Sequence, residues 1–137
     1  MRNTFAEHLL VRAKDDKSIL LITGDLGYGV LDKFQEELPN QFINTGVAEQ
    51  SMMSMAAGLA SRGYRPFVYS IANFPTFRCL EQIRNDVCYM NNPVTIVSVG
   101  AGLSYGPLGY THHAIEDLAV LRVFPNLEIY SPSGPSE

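Results

Sequence analysis

The sequence predicts an α/β fold, a three-layer sandwich with a mostly parallel central sheet flanked by helices. Three observations carry this expectation. Short β-rich apolar runs alternate with segments of helical periodicity along the chain. The runs "ILLIT" and "VTIVSV" are apolar enough to need cover on both faces, which is the condition of strands in a parallel sheet. The 137 residues, 46% apolar and 18% charged, are enough for one domain with a sizeable core.

In chain order, a helical pattern at Asn3–Ala13 leads into a strand at Ser18–Thr23 ("SILLIT"). A short helix at Leu31–Leu38 precedes the strand Phe42–Asn44 ("FIN"). The next helix, Ala48–Arg62, has Ala or Gly at 56, 57, 58 and 60 and Met at 52, 53 and 55, so it is apolar around most of its circumference and is expected to be buried. Its small residues suit packing on the chain's own sheet as well as an interface with another polypeptide. A strand follows at Pro66–Ser70 ("PFVYS"), then a helix at Pro75–Met90, whose first turn tolerates Pro75 because that N–H would have no partner anyway. The pattern closes with a strand at Pro93–Val99 ("PVTIVSV"), a helix at Ile115–Val123 and a fifth strand at Leu127–Ser131 ("LEIYS"). The tail "SPSGPSE" has linker composition, so a domain over 1–131 is expected, with 132–137 as the start of a linker to a further domain.

The net charge of −4 is scattered, with no lysine or arginine run to follow a phosphate backbone or an anionic membrane surface. The start "MRNTFAEHLLVRAKDD" is too short and too charged for a signal segment, and no stretch approaches the roughly 20 apolar residues of a membrane span. A cytoplasmic protein binding neither nucleic acid nor membrane is expected. Cys79 and Cys88 lie nine residues apart in one expected helix, on opposite faces at about 100° per residue, so neither a disulfide nor a zinc site is expected.

In open parallel sheets, ligands gather outside the carboxyl ends of the strands. Here four segments follow such ends: "GDLGYGVLD", "TGVAEQ", "IANFPTFR" and "GAGLSYGPLGYTHH". Glu49 ends the second and opens a helix. Thr45 is one residue too distant for an S/T-x-x-E capping box, and Gly46 has no side chain with which to reciprocate. An acid in the first turn gains a little from the helix dipole even when exposed. At the head of a buried helix, desolvation favours its neutral form and the dipole its charged form, leaving a group able to share a proton with a ligand nitrogen. The glycines of the last segment are spaced G-x-G-x-x-x-G, with Pro107 where a phosphate-binding helix should open, which argues against a dinucleotide site.

The blocks "NTGVAEQSMMSMAAGLASRGYRPFVYS", "EQIRNDV" and "YTHHAIEDLAVLRVFPNLEIYSPS" resemble the pyrimidine-binding domain of the transketolase family, which includes transketolases, 1-deoxyxylulose-5-phosphate synthases and the β subunits of 2-oxoacid dehydrogenases. The resemblance implies a thiamine diphosphate-dependent transferase with Glu49 and His112 as catalytic residues. Glu49 would hydrogen-bond the aminopyrimidine ring nitrogen and favour the imino tautomer, and His112, matching the histidine of a "THQ" motif, would contact substrate. Asp25, Val47, Phe74, Phe77 and Arg78 would join Glu49 around the cofactor. Phe74 or Phe77 would stack on the pyrimidine, and Arg78 lies near a position that is basic in the deoxyxylulose-phosphate synthases.

Two departures bear on substrate. Leu108 stands four residues before His112, where transketolases commonly carry an aspartate, and Gln50 replaces a histidine often found after the glutamate. The G-D-G…N motif that holds diphosphate and Mg²⁺ is absent, since "GDLG" lacks its spacing. The resemblance therefore implies a partner domain or subunit supplying the metal site, in a homodimer or heterotetramer acting on sugar phosphates. Met1 favours a split enzyme's second subunit, whereas the abrupt tail favours truncation before a C-terminal domain. A non-catalytic assembly or regulatory domain with the same fold is the alternative.

Overall fold

The strand Ile19–Thr23 (β1) is buried at every position because it lies inside the sheet with helices on both faces. The computed structural model, which describes residues 1–137, places Phe42–Asn44 (β2) on one side of it and Arg65–Ile71 (β3) on the other, with Thr95–Val99 (β4) outermost beside β3. All four strands are parallel; Ile22 registers with Ile43 and Val68, and Val68 with Ile96.

Successive strand side chains point to opposite faces. On one face Ile19, Leu21 and Tyr69 meet Ala6, Leu9, Leu10 and Ala13 of the helix Arg2–Asp15 (α1) and Phe34 of Asp32–Glu37 (α2). On the other, Ile22 and Val68 meet Met52, Met53, Ala56 and Ala57 of Glu49–Ala60 (α3), together with Ile83 and Val87. The three-layer α/β sandwich is thus observed. The small-residue stripe of α3 is spent on the chain's own sheet, while Gln50, Ser51, Ser54, Met55 and Gly58 face outward.

The structure corrects five local expectations. Leu127–Ser131 is not a strand: Asn126 turns the chain at φ +62 and ties its side-chain amide to the Cys88 carbonyl, and the residues that follow pair with no ladder. The strand β4 is consequently a sheet edge, with Thr95 and Ser98 exposed instead of covered on both faces. The expected helix Pro75–Met90 begins as a 3₁₀ turn at Phe77–Cys79, makes one α-turn at Leu80–Gln82 (α4), and widens to π-helix over Ile83–Tyr89. Tight and wide turns change the rotation per residue, so Cys79 and Cys88 enter the same core cluster instead of opposite faces; both are free thiols. The last helix, Asp117–Leu121 (α5), is shorter than expected. No helix is long and apolar enough to cross a membrane, and no three His, Cys, Asp or Glu side chains converge as a metal site.

Candidate functional site

In the strand order β2-β1-β3-β4, the chain leaves β1 toward β2 but leaves β3 toward β4. Connections that diverge in this way open a crevice at the carboxyl ends of β1 and β3. The exits of β1 and β2 are tied together there. The backbone N–H of Thr45 donates to the Thr23 carbonyl at 2.9 Å, and Asn44 Oδ1 accepts from the N–H groups of Asp25 and Gly46 at 2.9 and 3.0 Å. The two loops approach closely at Gly24, where an added Cβ would lie 3.1 Å from the Gly46 oxygen.

Glu49 is the first residue of α3 and only 3% exposed; Ala48 at the N-cap offers no side-chain cap, so this acid is not half of a capping box. Its Oε2 accepts from Arg78 Nη1 at 2.8 Å. Its Oε1 has no protein partner and is not sealed from solvent. The Arg78 side chain is 45% exposed and its guanidinium carbon lies 4.2 Å from the centroid of the Phe74 ring, a cation–π arrangement. Phe74 in turn meets the His112 ring edge-on at 5.2 Å between centroids, and Tyr105 meets His112 at 6.2 Å. Glu49, Arg78, Phe74, His112 and Tyr105 therefore stand in series across the loops after β2, β3 and β4.

Local bonds fix the turn that carries Phe74. Thr76 Oγ1 donates to the Ala72 carbonyl at 2.6 Å, and the Cys79 thiol donates to the Phe74 carbonyl at 3.3 Å. Burial pushes the Cys79 thiol up to about 12, with Glu49 adding to the shift and Arg78 opposing it. Asn73 Nδ2 donates to the Thr111 carbonyl at 3.1 Å, joining the β3 and β4 loops, and leaves Asn73 Oδ1 buried without a partner. Beside this turn is a cleft of about 310 Å³ lined by Asn73, Phe74, Phe77, Arg78, Tyr110, Thr111, His113 and Glu116. Glu49 does not line it; Arg78 stands between.

The expected site residues thus fall into two groups. Glu49, Phe74, Arg78 and His112 are brought together, and Phe77 lines the adjoining cleft without joining the series. Asp25 and Val47 lie on the rim. Asp25 is an exposed residue at φ +59 whose carboxyl is held below the usual range by the Tyr28 hydroxyl at 2.6 Å and by the Asn44 amide; Val47 is 75% exposed. His112 belongs to a 3₁₀ turn, Tyr110–His112, and α5 begins only at Asp117. The Gly106 carbonyl lies 3.3 Å from His113 Nε2, and because a carbonyl only accepts, that nitrogen carries hydrogen. Gly102 and Ala114 exchange backbone bonds at 3.0 and 2.9 Å, closing the glycine loop on itself, so no helix start follows β4 to receive a phosphate. Sequence reading missed Asn73, Tyr105, Tyr110, Thr111 and Glu116. Asn73 directly precedes Phe74 and was within reach, whereas the others had no signal beyond membership of the loop.

The whole chain, residues 1–137, matches the family described as transketolase, pyrimidine binding domain. It is 44% identical over 132 residues to a subunit of the apulose-4-phosphate transketolase of Phocaeicola vulgatus, covering 96% of this chain and 42% of that protein. It is 39% identical over 133 residues to the 1-deoxy-D-xylulose-5-phosphate synthase of Clostridium perfringens, covering 95% of this chain and 21% of that enzyme. Among solved structures, a split gene transketolase described as an inactive beta4 tetramer superposes with a TM-score of 0.79 at 36% identity, over 91% of this chain and 40% of that one. Transketolase from Leishmania mexicana has the same TM-score at 24% identity over 91% of this chain and 20% of that one, a likeness of fold alone. The chain spans less than half the length of these relatives. By sequence along its full length and by fold, it belongs to the transketolase pyrimidine-binding domain family.

Proposed function

We propose that the chain is the pyrimidine-binding half of a thiamine diphosphate-dependent, transketolase-like enzyme. It would transfer a two-carbon ketol unit between sugar phosphates or condense pyruvate with an aldose phosphate. The observation that carries this reading is Glu49: a buried carboxylate at a helix start, at the carboxyl edge of a parallel sheet, joined through Arg78 to the Phe74 ring. These residues fit an aminopyrimidine. Glu49 Oε1 has no protein partner, Phe74 offers a flat aromatic face, and the unpartnered Asn73 Oδ1 adds a nearby acceptor. When bound, the cofactor supplies the nucleophilic carbon of carbon–carbon bond chemistry. Glu49 holds or shares the proton at the ring nitrogen, Phe74 orients the ring, and His112, packed on Phe74, faces substrate. Asp25 and Val47 form the rim against which a partner closes.

The resemblance assigns the diphosphate and Mg²⁺ to that partner domain or subunit, in a homodimer or heterotetramer, where oxygen ligands and the cofactor's phosphates would hold the ion. Relatives named as single subunits of a transketolase support a split enzyme, and their names support sugar phosphate substrates. Residues 1–131 would form the domain and 132–137 the start of a linker, in a cytoplasmic enzyme. The second reading, a domain retained for assembly alone, draws on Leu108, which is 57% exposed where the resemblance calls for a substrate-contacting aspartate.

The test mixes the full-length protein with its diphosphate-binding partner, thiamine diphosphate and Mg²⁺, and follows ketol transfer for wild type and Glu49→Gln. Loss of the proton-sharing acid should slow transfer by about 100-fold or more. Equal turnover would remove Glu49 from the mechanism, and a wild-type complex without transfer would favour the assembly reading.

A further inference from the structure

We propose that Arg78 is a placeholder for the cofactor ring. In the free chain its guanidinium occupies both positions an aminopyrimidine must take, at the Glu49 carboxylate and over the Phe74 face, so that cofactor loading exchanges one planar donor for another. The inference rests on the thiamine diphosphate reading above.

The geometry supplies two contacts made by one group. Nη1 of Arg78 lies 2.8 Å from Glu49 Oε2, and the guanidinium carbon lies 4.2 Å from the Phe74 ring centroid. A guanidinium is flat, presents N–H donors at its edge and stacks on aromatic faces, which are the properties by which an aminopyrimidine would be recognised at the same two side chains. The need for a stand-in follows from burial. Glu49 is 3% exposed, and a buried carboxylate without a partner is costly. Until a ligand nitrogen arrives, some cation or donor must face it.

The same geometry makes the exchange easy. The Arg78 side chain is 45% exposed while Glu49 is 3% exposed, so the guanidinium can turn back toward water, and the cost of unpairing the carboxylate is offset once the incoming ring nitrogen takes its place. Arg78 lines the cleft and Glu49 does not, so rotation of the arginine side chain would open the cleft onto the carboxylate. Glu116, which lines that cleft and accepts a bond from the Tyr110 hydroxyl at 3.0 Å, offers a second carboxylate toward which the displaced guanidinium can turn.

The experiment measures thiamine diphosphate affinity by calorimetry in the complex of the full-length protein with its diphosphate-binding partner and Mg²⁺, for wild type, Arg78→Met and Arg78→Lys. A placeholder competes with the cofactor, so Arg78→Met should bind about fivefold or more tighter. Arg78→Lys keeps the charge but loses the planar fork, and should fall between the two. In wild type, the guanidinium N–H resonances of Arg78 should be protected in the free complex and exchange faster once cofactor is added, a readout that needs no variant to fold. Equal binding by Arg78→Met would overturn the proposal, and weaker binding, or guanidinium protection that increases on loading, would overturn it and make Arg78 a direct holder of the cofactor. If wild type binds no thiamine diphosphate, the reading beneath it falls as well; if wild type binds and Glu49→Gln binds more weakly, only the placeholder is at stake.

Discussion

Gly100→Ala tests whether the loop after β4 holds His112 in place through Tyr105. Gly100 sits at φ +87, and a Cβ built there would clash with the Cε2–Cδ2 edge of the Tyr105 ring. Alanine in that left-handed backbone costs about 1–2 kcal/mol, of which about 0.4–1 kcal/mol is returned by the stiffer unfolded chain. Moving the Tyr105 ring also gives up its edge contact with His112, at 6.2 Å between centroids, worth about 0.5–1 kcal/mol. The net loss is about 1–2 kcal/mol, a melting temperature lower by about 3–6 °C for a chain of this size. Gly102 is the control, with φ +60 but nothing within 4 Å of an added Cβ, so Gly102→Ala carries the backbone strain without the ring displacement. Urea unfolding followed by circular dichroism gives both stabilities, and the imidazole resonances of His112 report its surroundings. Gly100→Ala should be the less stable variant and the one that shifts His112. Equal stabilities, or a His112 signal unmoved by Gly100→Ala, would refute the claim that Tyr105 packing positions the histidine.

Two further outcomes follow from titratable groups. The Cys79 thiol, pushed up to about 12 chiefly by burial, should resist iodoacetamide in the folded protein at pH 8 and react once urea unfolds it; rapid labelling of the native chain, read by mass spectrometry, would show that the turn bearing Phe74 opens freely. Asp16 is held below the usual carboxylate range first by the Ser18 hydroxyl, Asp25 by the Tyr28 hydroxyl and Glu37 by Lys14. Each folded-state value lies below the unfolded one, so the stability these groups contribute is present above about pH 4 and is lost as pH falls through the folded values. The urea midpoint should hold between pH 7 and 5 and decline below about 4; a midpoint that rises on acidification would contradict the sign.

The site was legible where chemistry shows in a short run of residues. The acid at the head of "EQSMMSMAAGLA" announced itself, because a carboxylate opening an otherwise apolar helix must be buried or paired, and it is both. The pair "NFPTF" gave two phenylalanines without saying which would matter. The choice fell to the 3₁₀ turn at Phe77–Cys79, which swings Arg78 back over Phe74 and leaves Phe77 on the cleft. Tyr105 and Glu116 were out of reach because the Gly102–Ala114 bridge brings together residues that share no periodicity.

By itself the sequence determined the layers of this protein and the location of its polar centre. Apolar runs such as "ILLIT" can only be satisfied inside a sheet covered on both faces, and buried backbone groups then confine function to the loops at the strand ends. Only the tertiary structure decided the edge and the partners. Leu127–Ser131 has the composition of a strand, yet pairing is a property of two segments at once, and β4 has no such neighbour. The ion pair of Arg78 with Glu49, 29 residues apart, likewise exists because two loops meet over β1 and β3, a distance in space that no local pattern encodes.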